Sequence, residues 1–69
     1  MSISVQTLRT GKKYRLTNFG ETNEFEVLEI FANGDCKLKD LTTLEIYYLF
    51  DLTRYGKGKD YALLPIGPY

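Results

Sequence analysis

The stretch FEVLEIFANGDCKLKDLTTLEIYYLFDL, residues 25–52, decides the fold. Phe25 and Val27 lie on one face of an extended chain, with Glu24 and Glu26 opposite. The alternation then breaks, because Leu28 and Ile30 fall on the glutamate face. Apolar residues on both faces are expected where a long strand bends through a bulge. Asn33-Gly34 accepts the positive φ of a tight hairpin turn. From Asp35 to Asp40, Cys36 and Leu38 alternate with Lys37 and Lys39, which predicts a half-buried strand. After Leu41-Thr42-Thr43, the run Leu44 to Leu49 predicts another. There Leu44, Ile46 and Tyr48 take the inner face and Glu45 and Tyr47 the outer one. Leu49 and Leu52, three residues apart, suit a single 3₁₀ turn packed on the end of the sheet.

Working outward, Gly11 permits a turn into a first strand at residues 12–16. Tyr14 and Leu16 face inward there, and Lys13 and Arg15 outward. Residues 18–23 read as a loop by composition, with Phe19 folded back as a lid on the core. Ser2 to Leu8 is a lead-in that Val5 and Leu8 would pin. Residues 56–60 read as a flexible glycine-hinged loop. Tyr61 to Leu64 makes a last strand, stopped by Pro65 and Pro68. The expectation is one all-β domain over residues 1–69: a five-stranded antiparallel small barrel with a short 3₁₀ turn before the last strand.

At 69 residues the core is small and stability marginal. One cysteine and no histidine exclude an intramolecular disulfide and the usual zinc ligand sets. The absence of histidine also removes the ordinary triad and proton shuttle. No metal, no cofactor and no enzymatic activity are expected. Cys36 should be a buried structural thiol; the alternative is a thiol activated by Lys37 and Lys39. Asp40 should hydrogen-bond the turn that follows it. Nine basic and nine acidic residues balance, which weighs against a dedicated nucleic-acid binder. Arg9, Lys12, Lys13 and Arg15 are followed by Glu21, Glu24, Glu26 and Glu29, a pattern that suits cross-strand pairing. The N-terminus lacks the pattern of a signal peptide, and no run is long enough to span a bilayer. A lone cysteine fits a reducing compartment, so a cytoplasmic protein without membrane contact is expected.

Five strands, tight central turns and a 3₁₀ turn before the last strand resemble the Src-homology-3-like small barrels. Within that group, residues 38–46 are similar to the Tudor domains. Asp40, Glu45, Ile46 and Leu52 stand where the Tudor pattern has them, and Leu8 with residues 11–14 is similar to the first strand. Leu41 and Thr42 replace the aromatic and glycine that follow the aspartate. The resemblance implies the fold and a habit of binding, while the family's aromatic cage is not carried over.

Binding candidates are tyrosines and late cations. Tyr47, Tyr55 and Tyr61, if exposed together, would mark contact with a protein partner or a second copy of the chain. Arg54, Lys57 and Lys59, with Tyr55 or Tyr61 stacking on a base, suit weak binding of single-stranded nucleic acid. The run Gly56-Lys57-Gly58-Lys59 lacks the helix and Ser/Thr of a Walker loop. A third reading is a structural subunit of a larger assembly.

Overall fold

The computed structural model describes residues 7–66. Expectations placed on Ser2, Val5 and Pro68 lie outside them. The described residues form β-strands and one α-helical turn. Strands β1 (Lys13–Asn18), β2 (Glu21–Ile30), β3 (Cys36–Asp40), β4 (Ile46–Tyr48) and β5 (Ala62–Ile66) form one antiparallel sheet. Their order is β4-β3-β2-β1-β5. No ladder joins β4 to β5 among the described residues, so the sheet is open along those two edges.

The inner face carries the core that alternation predicts: Tyr14 and Leu16 from β1, Phe25 and Val27 from β2, Cys36 and Leu38 from β3, Leu63 from β5. Leu8 and Leu49 close it from the flanks. On the outer face, Arg15 pairs with Glu24 at 2.7 Å, the one ion pair among the described residues. Both partners are partly exposed, so this pair contributes at most about 1 kcal/mol. The expected bulge in β2 falls between Val27 and Glu29, where the register with β3 shifts.

Four expectations need correction. First, residues 18–23 are not a loop. Asn18 pairs with Glu21 across a two-residue turn, with φ of 51° at Phe19 and 77° at Gly20. That is the geometry of a type I′ hairpin, whose twist matches the flanking strands. Phe19 is 55% exposed and does not cover the core.

Second, β4 is shorter than expected and presents the opposite face. Leu44 belongs to the turn, with φ of 65° and its N–H donated to the Asp40 carbonyl at 3.0 Å. Tyr47 then pairs with Leu38 and packs against the core, while Ile46 and Tyr48 point outward. A one-residue slip inverts every side chain of a strand. Asp40 holds this register. Its carboxylate accepts the N–H groups of Thr42 and Thr43 at 2.8 and 2.9 Å and the Tyr47 hydroxyl at 2.7 Å.

Third, the turn after β4 is α-helical rather than 3₁₀: in α1 (Leu49–Leu52), the Thr53 N–H reaches the Leu49 carbonyl at 3.1 Å. Tyr48 supplies no side-chain cap. Asp35 does so from the β2–β3 turn, accepting the Phe50 N–H at 2.9 Å. Fourth, β5 runs through Pro65 to Ile66. Proline is tolerated there because β5 is an edge strand.

The backbone donors of Thr43 and Thr42 and the Tyr47 hydroxyl hold the Asp40 carboxyl below its usual pKa, with the Thr43 N–H the largest contributor. A lowered folded pKa gives stability that is present above the unfolded value. It is lost as pH falls through the folded one. The protein should therefore lose stability on acidification below about pH 4. Tyr47→Phe should cost about 1–3 kcal/mol at neutral pH and flatten the acid slope, both read by urea unfolding across pH. An unchanged acid slope in that variant would remove Tyr47 from the account.

Candidate functional site

The β1–β2 hairpin and the segment after α1 meet at one end of β1. Two polar side chains lock them together. Asn18 is 6% exposed and spends its amide on the loop: its Nδ2 donates to the Gly56 carbonyl at 3.0 Å, and its Oδ1 accepts the Gly58 N–H at 2.7 Å. Asp60 reaches back, its two carboxylate oxygens accepting the Phe19 and Gly20 N–H groups at 2.8 and 2.7 Å. Gly58 lies against the Phe19 ring, where a Cβ would come within 2.9 Å of Cδ1. The glycine-rich segment, expected as a hinge, is held at both Gly56 and Gly58.

This lock shapes an open cleft of about 530 Å³. Leu16 and Leu52 form its apolar floor, and Phe19 and Tyr55 stand as exposed rings on its walls. Among the described residues, Glu21 and Asp51 supply its only charged lining, both acidic. Neither carboxylate has an ion-pair or side-chain hydrogen-bond partner among the described residues. Aromatic faces carry negative potential, so rings and carboxylates together favour a cation with an apolar stem.

Only Tyr55 of the predicted tyrosines lines this cleft. It is 81% exposed, with the Arg54 guanidinium 5.5 Å from its ring centroid. Tyr61 is half-buried. Lys57 sits 4.8 Å from its ring centroid, and its buried hydroxyl has no hydrogen-bond partner. Burial raises the pKa of that phenol. Lys59 is exposed. Tyr47, expected on the surface, is half-buried. Burial, then the Asp40 hydrogen bond, pushes its hydroxyl far above the usual tyrosine range. The structure thus pairs Arg54 with Tyr55 and Lys57 with Tyr61, but assembles no shared tyrosine surface with Tyr47.

Cys36 is buried, and burial followed by the Asp35 charge raises its thiol pKa. Lys37 and Lys39 sit on the opposite face of β3 and do not activate it. No cluster of three or more His, Cys, Asp or Glu residues could hold a metal ion among the described residues. Among the described residues, no helix is long and apolar enough to cross a membrane.

Sequence reasoning missed Phe19, Glu21 and Asp51 as site residues. The available signal was Asn18-Phe19-Gly20, a two-residue hairpin turn with a phenylalanine where asparagine or glycine is favoured.

Asn18→Ala should remove both bonds to the loop. The expected cost is about 2 kcal/mol, with fast hydrogen exchange at the Gly58 amide. Retained protection of that amide would show that the lock is held elsewhere. No protein-family model, curated protein or solved structure matches the chain.

Proposed function

We propose that this chain is a non-enzymatic, cytoplasmic binding module on the Src-homology-3-like small-barrel plan, and that its cleft takes a basic segment of a protein partner. The sheet order and the helical turn before β5 support the architectural part. A lone buried cysteine suits a reducing compartment.

Phe19 carries the functional part. A non-glycine residue in the left-handed region costs on the order of 1–3 kcal/mol, and Asn-Gly would relieve it. The ring repays little of this through burial, being 55% exposed. A large aromatic side chain at a strained, exposed turn, facing unpaired carboxylates, is better explained by recognition than by folding. A lysine or arginine would lay its stem along Phe19 and bring its charge to Glu21 and Asp51.

The nucleic-acid reading is weaker on two observations. Arg54 and Lys57 already lie over the tyrosine rings on which bases would stack. The acidic lining of the cleft would repel phosphates.

A blocked peptide of alternating lysine and glycine, titrated at low ionic strength, tests the proposal. Binding should weaken about tenfold, equivalent to about 1.4 kcal/mol, in Phe19→Asn and in Glu21→Gln/Asp51→Asn. It should be unchanged in Lys59→Ala. Phe19→Asn should also unfold no more easily than the parent. Equal binding by the parent and both cleft variants would sink the reading.

A further inference from the structure

A basic segment of the right shape exists on the chain itself. Residues 9–13 (Arg-Thr-Gly-Lys-Lys) are all exposed and form a pre-organised turn. The Lys12 N–H reaches the Arg9 carbonyl at 3.2 Å, with Gly11 at a φ of 84°. Gly11 N–H to the Val27 carbonyl, at 2.8 Å, and Val27 N–H to the Lys12 carbonyl, at 3.0 Å, anchor it on β2. The Arg9 N–H bonds the Tyr14 hydroxyl at 3.0 Å. A turn fixed before binding loses little entropy on docking.

Three cations project from this turn, and Glu26, the register partner of Lys13 on β2, is the carboxylate beside them. Arg9, Lys12 and Lys13 line a second cleft of about 560 Å³, beside Pro65 and Ile66. Lys12 and Lys13 have no ion-pair partner among the described residues. Lys13 opens β1 and Asn18 closes it, so this turn and the acidic cleft lie at opposite ends of the strand. Six residues span roughly 17 Å, which separates Lys12 and Lys13 from Glu21 at the hairpin end of the same molecule. A neutral chain therefore carries a projecting basic turn at one end and an unneutralised acidic, aromatic recess at the other.

Resting on the reading of the cleft given above, we propose that the basic segment is supplied by a second copy of this chain, the residue 9–13 turn of one molecule seating in the acidic cleft of the next. Lys12 and Lys13 meet Glu21 and Asp51, with a stem on Phe19. The two contacting surfaces differ, so each copy keeps one free end and association is head-to-tail and open rather than closed at a dimer. Ionic contacts at exposed sites weaken as the screening length shrinks from about 10 Å at 0.1 M salt to about 3 Å at 1 M.

Sedimentation of the whole chain over a concentration series tests this. At low ionic strength the average mass should rise past the dimer, and high salt should return it to the monomer. Glu21→Gln/Asp51→Asn and Lys12→Glu/Lys13→Gln should each be monomeric alone, with circular dichroism verifying their folds. Mixed one to one, they share a single intact contact and should stop at a dimer. Association of either variant like the parent would overturn the proposal. So would salt-insensitive association lost in Ile46→Lys, which would place the contact on the apolar edge of β4. A parent that stays monomeric while the lysine–glycine peptide still binds would refute the second copy as partner and leave the cleft reading standing. Failure of both would remove both.

Discussion

The Asp40 carboxylate is the constraint on which the arrangement depends. A buried carboxylate must be hydrogen-bonded to remain ionised, and its donors here are two turn amides and Tyr47. Satisfying it draws Tyr47 inward, which fixes the face of β4. That face sets the direction in which the chain enters α1, and α1 with the turn that follows it delivers Asp51, Leu52 and Tyr55 to the cleft. A charge inside the sheet is thus connected, through backbone register, to the surface at the end of β1.

The site is assembled from segments far apart in sequence by polar side chains rather than by the core. Asn18 and Asp60 bind the hairpin and the loop reciprocally, each satisfying backbone groups of the other's segment. Asp35 does similar work at the opposite end, tying the β2–β3 turn to the start of α1. A domain of this size, with no disulfide, has little apolar area to spare. Short-range polar ties to backbone donors hold its connections without enlarging the core.

Much of the sheet was legible because alternation reports burial directly. Tyr14, Leu16, Phe25, Val27, Cys36 and Leu38 all lie inside as their spacing demands, and the break at Leu28 marks the bulge. The hairpin at Phe19 was hidden because its turn residue is one that turn chemistry disfavours. The face of β4 was hidden because Leu44, Ile46 and Tyr48 form a plausible inner set. Only the long-range bond from Tyr47 to Asp40 decides against it. Of the cleft, Tyr55 was legible as a tyrosine near cations. Glu21 and Asp51 were not, since two unpaired carboxylates thirty residues apart carry no local pattern.

Asn33-Gly34 has a chemical consequence as well as a conformational one. An asparagine before glycine is prone to deamidation, because the glycine amide nitrogen can attack the side-chain carbonyl and close a succinimide. Here the Gly34 N–H is donated to the Phe31 carbonyl at 3.0 Å, and the Asn33 side-chain oxygen accepts the Asp35 N–H at 3.0 Å. The attacking nitrogen is engaged in the turn and the Asn33 side chain is fixed on the Asp35 N–H, so ring closure requires the turn to open. In the turn that joins β2 to β3, the covalent ageing of this Asn-Gly step is thus coupled to local opening of the backbone.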